Sequence, residues 1–261
     1  MRGPAVIRAS ARVWRGALAV SFLALVASSL PAQTRPFVNV EAGAAFNGYN
    51  DVRIPPDTGS EFSLTDDLSV DPAAFFRLRF GVRLGERHEV SALIAPLRFD
   101  ANGSFDRPIQ FNGVEFPAGT PVDGRYRFDS YRLTYLYRIW RPNETTDLHL
   151  GLSAKIRDAA IGLEAAGLET ENTNTGFVPL IAFRLEWRAA GNWALLLEGD
   201  ALASPQGQGR AEDVFAGVVH AIRPHLRARA GYRILEGGAD VEKVYNFALA
   251  HYLSMALEYR F

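Results

Sequence analysis

From Arg35 onward, apolar and polar side chains alternate along most of the chain, the spacing of an extended strand whose successive side chains leave opposite faces. The stretch from Val244 to Phe261 shows it best. Tyr245, Phe247, Leu249, Leu253, Met255, Leu257, Tyr259 and Phe261 share one face, against Asn246, Ala248, Ala250, Ser254, Glu258 and Arg260 on the other. Phe76, Leu78, Phe80, Val82 and Leu84 alternate with Arg77, Arg79, Gly81 and Arg83, and Leu226, Ala228, Ala230, Tyr232 and Ile234 with Arg227, Arg229, Gly231 and Arg233. Ten such segments are predicted, near 36-47, 73-84, 88-102, 125-140, 146-163, 177-188, 193-203, 212-223, 225-236 and 244-261. Eight strands remain open if two weaker segments belong to loops. The eighth segment is so uniformly apolar from Val214 to Ile222 that its faces are not assigned.

Short polar turns (85-87, 141-144, 189-192 and 223-224) alternate with longer connections (48-72, 103-124, 164-176, 204-211 and 237-243). Tight turns at one end and extended loops at the other are the asymmetry of transmembrane β-barrels, whose strands need about ten residues to cross. The expected fold is therefore all-β, an antiparallel up-and-down transmembrane barrel spanning 33-261. A soluble barrel with apolar side chains inward gives the same binary string. Two features favour the membrane. The polar face is rich in Gly, Ala, Ser and Arg, which suits a confined lumen. Trp187, Trp193 and Tyr259 fall at one end of the strands and Phe46, Phe177 and Tyr245 at the other, as interfacial aromatic girdles require.

The N-terminus carries Arg2, Arg8, Arg12 and Arg15, then an apolar stretch from Gly16 to about Ala27, then small residues to Ala32. This is the pattern of a secretory signal peptide over 1-32, its apolar stretch being too short to span a bilayer comfortably. The terminal strand, with Leu257 and Tyr259 at alternate positions before Phe261, resembles the C-terminal strand of the outer-membrane β-barrel family of Gram-negative bacteria. That resemblance implies residence in the cell outer membrane. It also implies contact with outer-membrane lipid and lipopolysaccharide, and recognition of Leu257, Tyr259 and Phe261 by the periplasmic barrel-assembly machinery. It implies no particular activity.

Composition then sharpens the picture. The chain has 28 Lys plus Arg against 29 Asp plus Glu, a mean hydropathy of -0.04 and no cysteine. Disulfide frameworks and thiolate metal sites are excluded. Loss of the four leader arginines moves the formal charge from -1 to -5. With apolar faces turned to lipid, the inward set contains Arg77, Arg79, Arg83, Arg98, Arg132, Arg138, Lys155, Arg157, Arg184, Arg227, Arg229, Arg233 and Arg260. Glu41, Asp100, Glu186, Glu198, Asp200 and Glu258 oppose them, which makes a basic lumen. Placing Arg98 and Asp100 inside turns Leu93, Leu97 and Phe99 to the lipid and points Pro96 inward. Glu212 and Asp213 are assigned, with Asp66 and Asp67, to acidic outer loops, whose paired carboxylates are solvated charge or a Ca²⁺-bridging feature. Asn112-Gly113 between Ile109-Phe111 and Val114-Phe116 predicts a small hairpin projecting above the membrane. Its Phe111, Val114 and Phe116 either pack against neighbouring loops or form a contact surface.

The functional classes follow from that interior. A ten-stranded barrel lies nearer the filled eight-stranded case than open porins, so a filled, monomeric barrel of structural or binding type is the leading expectation. A narrow anion-preferring channel is the alternative. An enzyme acting on lipid or peptide is a weaker third. Among the five histidines (His88, His149, His220, His225, His251), His251 and Ser254 fall on opposite strand faces. His149 and Ser153 are about 13 Å apart along theirs, so no catalytic residue is assigned. No metal, cofactor or nucleic-acid partner is implied.

Overall fold

The computed structural model describes residues 34–203, 209–242 and 244–261. The leader expected at 1-32 lies outside them. Ten long strands close into one antiparallel ring: β1 (Thr34–Arg53), β4 (Ala73–Leu84), β5 (His88–Ala95), β9 (Pro121–Trp140), β10 (Thr146–Ala165), β11 (Leu168–Ala190), β12 (Trp193–Ala203), β13 (Gly209–Arg223), β14 (Leu226–Val241) and β15 (Val244–Arg260). Each pairs with its neighbour in chain order, and β15 closes on β1 in a register running from Phe37 opposite Arg260 to Arg53 opposite Tyr245. The ring has ten strands, not eight. Short strands decorate its long-loop end: β2 (Phe62–Ser63), β3 (Leu68–Val70), β6 (Arg98–Ser104), β7 (Ile109–Phe111) and β8 (Val114–Phe116).

The strand predicted over 88-102 is β5 and β6 in line. Both pair with β9, on either side of Pro96 and Leu97. Pro96 has no N–H to donate, so the ladder breaks there and resumes where the Phe128 amide donates to the Leu97 carbonyl at 2.9 Å.

Several segments expected as loops are strand. The connection expected at 164-176 is a two-residue turn, Ala166 and Gly167, both with positive φ (50° and 82°), and β10 and β11 stay paired up to Ala165 opposite Leu168. The Thr/Asn/Glu run from Glu169 to Thr175 hides its strand character because neither of its faces is covered by apolar groups. Strands of 20 to 23 residues rise about 3.3 Å per residue along their own axis. Even tilted by about 40°, they are roughly twice as tall as the 25 Å apolar band of an outer-membrane barrel.

The apolar band is present on the lower half, next to the short turns. Leu133, Leu152, Ile156, Phe76, Leu253, Met255 and Leu257 point outward and stay 49% to 70% exposed, a surface that only lipid covers favourably. Trp140, Trp187, Trp193 and Tyr259 ring its lower edge, exposed. Leu257, Tyr259 and Phe261 all lie on this outer face. No helix among the described residues is long and apolar enough to cross a membrane.

The candidate functional site inside the barrel

The lumen is built in two layers. The lower layer is ionic. Asp213 of β13, 1% exposed, accepts from Arg77 at 2.8 Å, from Arg233 at 2.5 Å and from Arg132. Arg233 also forks onto Glu41 at 2.8 and 2.9 Å, while Ser254 donates its hydroxyl to the same carboxylate. Arg132 bridges onward to Asp200 at 2.8 Å. One turn-ward step lower, Glu198 receives Arg229 at 2.6 Å, Arg184 at 3.2 Å and Arg79 at 3.3 Å. Arg184 forks onto Glu89 with two 2.8 Å bonds, and Arg83 joins it at 2.9 Å. Glu258 takes Arg260 at 2.7 Å and lies 3.8 Å from Arg227, which pairs with Glu186 at 2.8 Å. At the short-turn rim Asp147 gathers Arg188 at 2.7 Å, Arg141 at 3.4 Å and Arg138 at 3.6 Å.

Arg77, Arg79, Arg83, Arg132, Arg138, Arg184, Glu186, Glu198, Asp200, Arg227, Arg229, Arg233 and Glu258 thus line the lumen in ion pairs, whereas Arg98 and Asp100, expected with them, do not. The planar guanidinium suits this packing, since one arginine serves two carboxylates with fixed forked geometry. Phe215 fills the space beneath Arg229 and Arg233, whose guanidiniums sit 4.8 and 5.3 Å from its ring centre, within cation–π range.

The upper layer is apolar. Phe62, Leu64, Phe105, Ile109, Phe111 and Phe116 from the outer segments pack with Val52, Phe75, Leu97, Phe99, Val122, Tyr126, Ile161, Leu163 and Tyr252 from the wall in one buried cluster. Phe62 meets Phe105 and Phe111 edge-on at 5.4 and 5.6 Å. The β7–β8 hairpin forms as its sequence predicts, with Asn112 and Gly113 at φ of 49° and 82°, the geometry a two-residue hairpin turn selects.

Of the two readings of the hairpin, packing holds and the contact surface does not, because Phe111 and Phe116 are fully buried and plug the barrel mouth. Two expectations are corrected. Asp213 is no loop acid. It stands on β13 with Ala211, Phe215 and Val219 on the inner face, while Glu212 points away. Leu93, Leu97 and Phe99 face inward, 5%, 4% and 2% exposed, and Arg98 and Asp100 face out. For Leu97 and Phe99 the cause is a change of solvent with height; Leu93, level with Arg79 and Arg132 in the ionic layer, shares their face through strand alternation with Glu89 and Ser91. Above the bilayer the outside of the wall is wet and the inside is the apolar plug, so the polar-in rule inverts along one strand. Finally, Glu89 and Asp147 belong to the lumen network; Glu89 could have been found from its place in the β5 alternation with Ser91 and Leu93.

The acidic and histidine candidates scatter. Asp67 caps its own turn, accepting the Ser63 amide at 2.8 Å with Arg107 nearby at 3.5 Å. No group of three or more metal-ligating side chains occurs among the described residues. His251 faces outward against the Tyr232 hydroxyl, whereas Ser254 faces Glu41. His149 lines the short-turn vestibule, while Ser153 shares its hydrogen bond with Thr134 at 2.6 Å.

No protein-family model matches the chain, and no curated protein sequence does. Solved structures do. The outer membrane protease OmpT from Escherichia coli aligns over 89% of this chain and 99% of its own, with a TM-score of 0.53 at 10% identity. The attachment invasion locus protein Ail of Yersinia pestis, in complex with a heparin analogue, covers 87% and 99% at a TM-score of 0.39 and 13% identity. The transport unit of the autotransporter AIDA-I from E. coli covers 96% and 99% at 0.41 and 8%. The likeness is one of fold. With the apolar belt, it places this ten-stranded barrel in the bacterial outer membrane.

Proposed function

We propose that this protein is a closed, monomeric outer-membrane barrel of structural or binding type. The observation that carries this reading is the double filling of its lumen. An ion-pair layer spans the barrel at the level of Asp213 and Glu198, and an apolar plug sits above it. A hydrated ion would have to break both in series. Its belt contacts outer-membrane lipid and lipopolysaccharide. Outward-facing Leu257, Tyr259 and Phe261 engage the barrel-assembly machinery. No catalytic role is assigned to any side chain, and no nucleic acid is involved.

One observation favours the anion-channel reading instead. A cavity of about 360 Å³ opens at the short-turn end, its wall including Arg83, Arg138, Arg141, Arg184, Arg227 and Arg260. Cations in excess would draw anions into such a mouth. It ends beneath the paired Glu198 layer, so we read it as a vestibule. Planar-bilayer recording of the refolded chain decides between the two. The filled barrel shows no unitary conductance; steady anion-selective steps would replace this reading with the channel.

A further inference from the structure

Two lumen cations differ from all the others. Arg77, Arg132, Arg184, Arg229 and Arg233 each reach a carboxylate. Lys155 of β10 is only 2% exposed and has no carboxylate within 4.0 Å among the described residues; its ammonium sits 4.8 Å from the Phe128 ring centre. Arg157, two residues further on the same face, bonds the Asn174 amide oxygen, and its Nε is buried without a partner. A buried cation with no counter-ion is costly, and this chain neutralises its other buried cations with acids.

Both side chains border a cavity of about 290 Å³. The rest of its wall includes Phe128, Phe177, Val178, Leu202 and the glycines 237 and 238. Phe177 and Leu202 are exposed on the outer face of the barrel, at 68% and 39%. Outward-facing Phe177 and Leu202 and the two inward cations thus line one cavity, beside the part of β11 on the long-loop side of Ile181, which pairs with β10 and with no second described strand. It lies about ten residues above the short turns, at the upper edge of the apolar band.

We propose that this cavity binds a small amphipathic anion, with a carboxylate or phosphate head on Lys155 and Arg157 and an apolar body along Phe128, Phe177 and Leu202. The head supplies the missing counter-charge through charge-assisted hydrogen bonds. The apolar wall admits a short alkyl or aryl group, and the volume lies near the lower end for small-molecule sites. This goes beyond the filled-barrel reading and does not need it: bilayer conductance on the same preparation tests that reading separately.

The test is calorimetric titration of the full refolded barrel in zwitterionic nanodiscs with octanoate, octyl phosphate and octanamide, with empty nanodiscs subtracted. Saturable binding of at least one anion, and none of octanamide, is expected. Lys155→Met and Arg157→Gln, both verified as folded by heat-modifiable migration, should each weaken that binding at least tenfold. The tighter of the two anions identifies the head group. Equal binding of octanamide, undiminished binding by folded Lys155→Met, or no saturable binding of either anion would overturn the proposal. The comparison between anion and amide on the unsubstituted protein holds even if a variant misfolds.

Discussion

At the residue scale, what matters is whether a charge has a partner it cannot replace with water. Asp213 holds Arg77, Arg132 and Arg233 in a space closed to solvent. Asp213→Asn leaves three guanidiniums short of one carboxylate, and removing one member of a buried pair costs about 3–5 kcal/mol. The temperature at which the folded band converts to the unfolded one on electrophoresis should fall clearly. Arg125→Ala provides the contrast. Arg125 lies 3.9 Å from Glu164 with both side chains more than half exposed, where an ion pair contributes about 1 kcal/mol or less, so the same measurement should barely move. The individual arginines were legible from strand alternation. Asp213 was not, because Val214, Phe215, Ala216, Val218 and Val219 around it are apolar on both faces, and only the ring shows that Phe215 and Val219 line the lumen beside it.

At the scale of elements, the β7–β8 hairpin and the 54-72 segment act together as a stopper. The Asn112 amide donates to the Ile54 carbonyl and the Ser60 amide to the Gln110 carbonyl, at 2.9 and 2.8 Å, so backbone bonds stitch together the two segments whose phenylalanines fill the core. Phe111→Ala and Phe116→Ala each remove a fully buried ring, a change of about 3–5 kcal/mol in a packed interior. That loss falls on the stopper and spares the ring of strands. Limited chymotrypsin treatment should then cut after Phe105, which is 1% exposed in the unsubstituted protein, while the barrel itself resists. An uncut Phe105–Asp106 bond in both variants would mean that the stopper is held by its backbone bonds alone. The hairpin was readable from Asn112-Gly113, because a two-residue turn with positive φ leaves few residue choices. Where it folds was not readable, since apolar residues on a loop suit a plug and an exposed patch equally well.

At the scale of the whole molecule, one wall serves two solvents. Its lower half is apolar outside and ionic inside, and its upper half is wet outside and apolar inside. An arginine added to the outer surface should therefore be judged by height alone. Leu152→Arg puts a charge near mid-belt, at a position 68% exposed, and should destabilise the barrel by about 2–4 kcal/mol in lipid-vesicle refolding. Leu168→Arg, at the tip of the β10–β11 hairpin, should be tolerated. Equal penalties at both sites would contradict the membrane level assigned here. Alternation by itself determined that the chain is a series of extended segments and which side chains share a face, because the period of two is a property of extended backbone and survives any packing. Only the tertiary structure decided how tall the strands are, which carboxylates meet which guanidiniums, and that the mouth is stoppered from above. The reason is physical: face assignment needs to know which solvent touches each face, and that depends on height in the membrane and on segments distant in sequence that fold into the lumen.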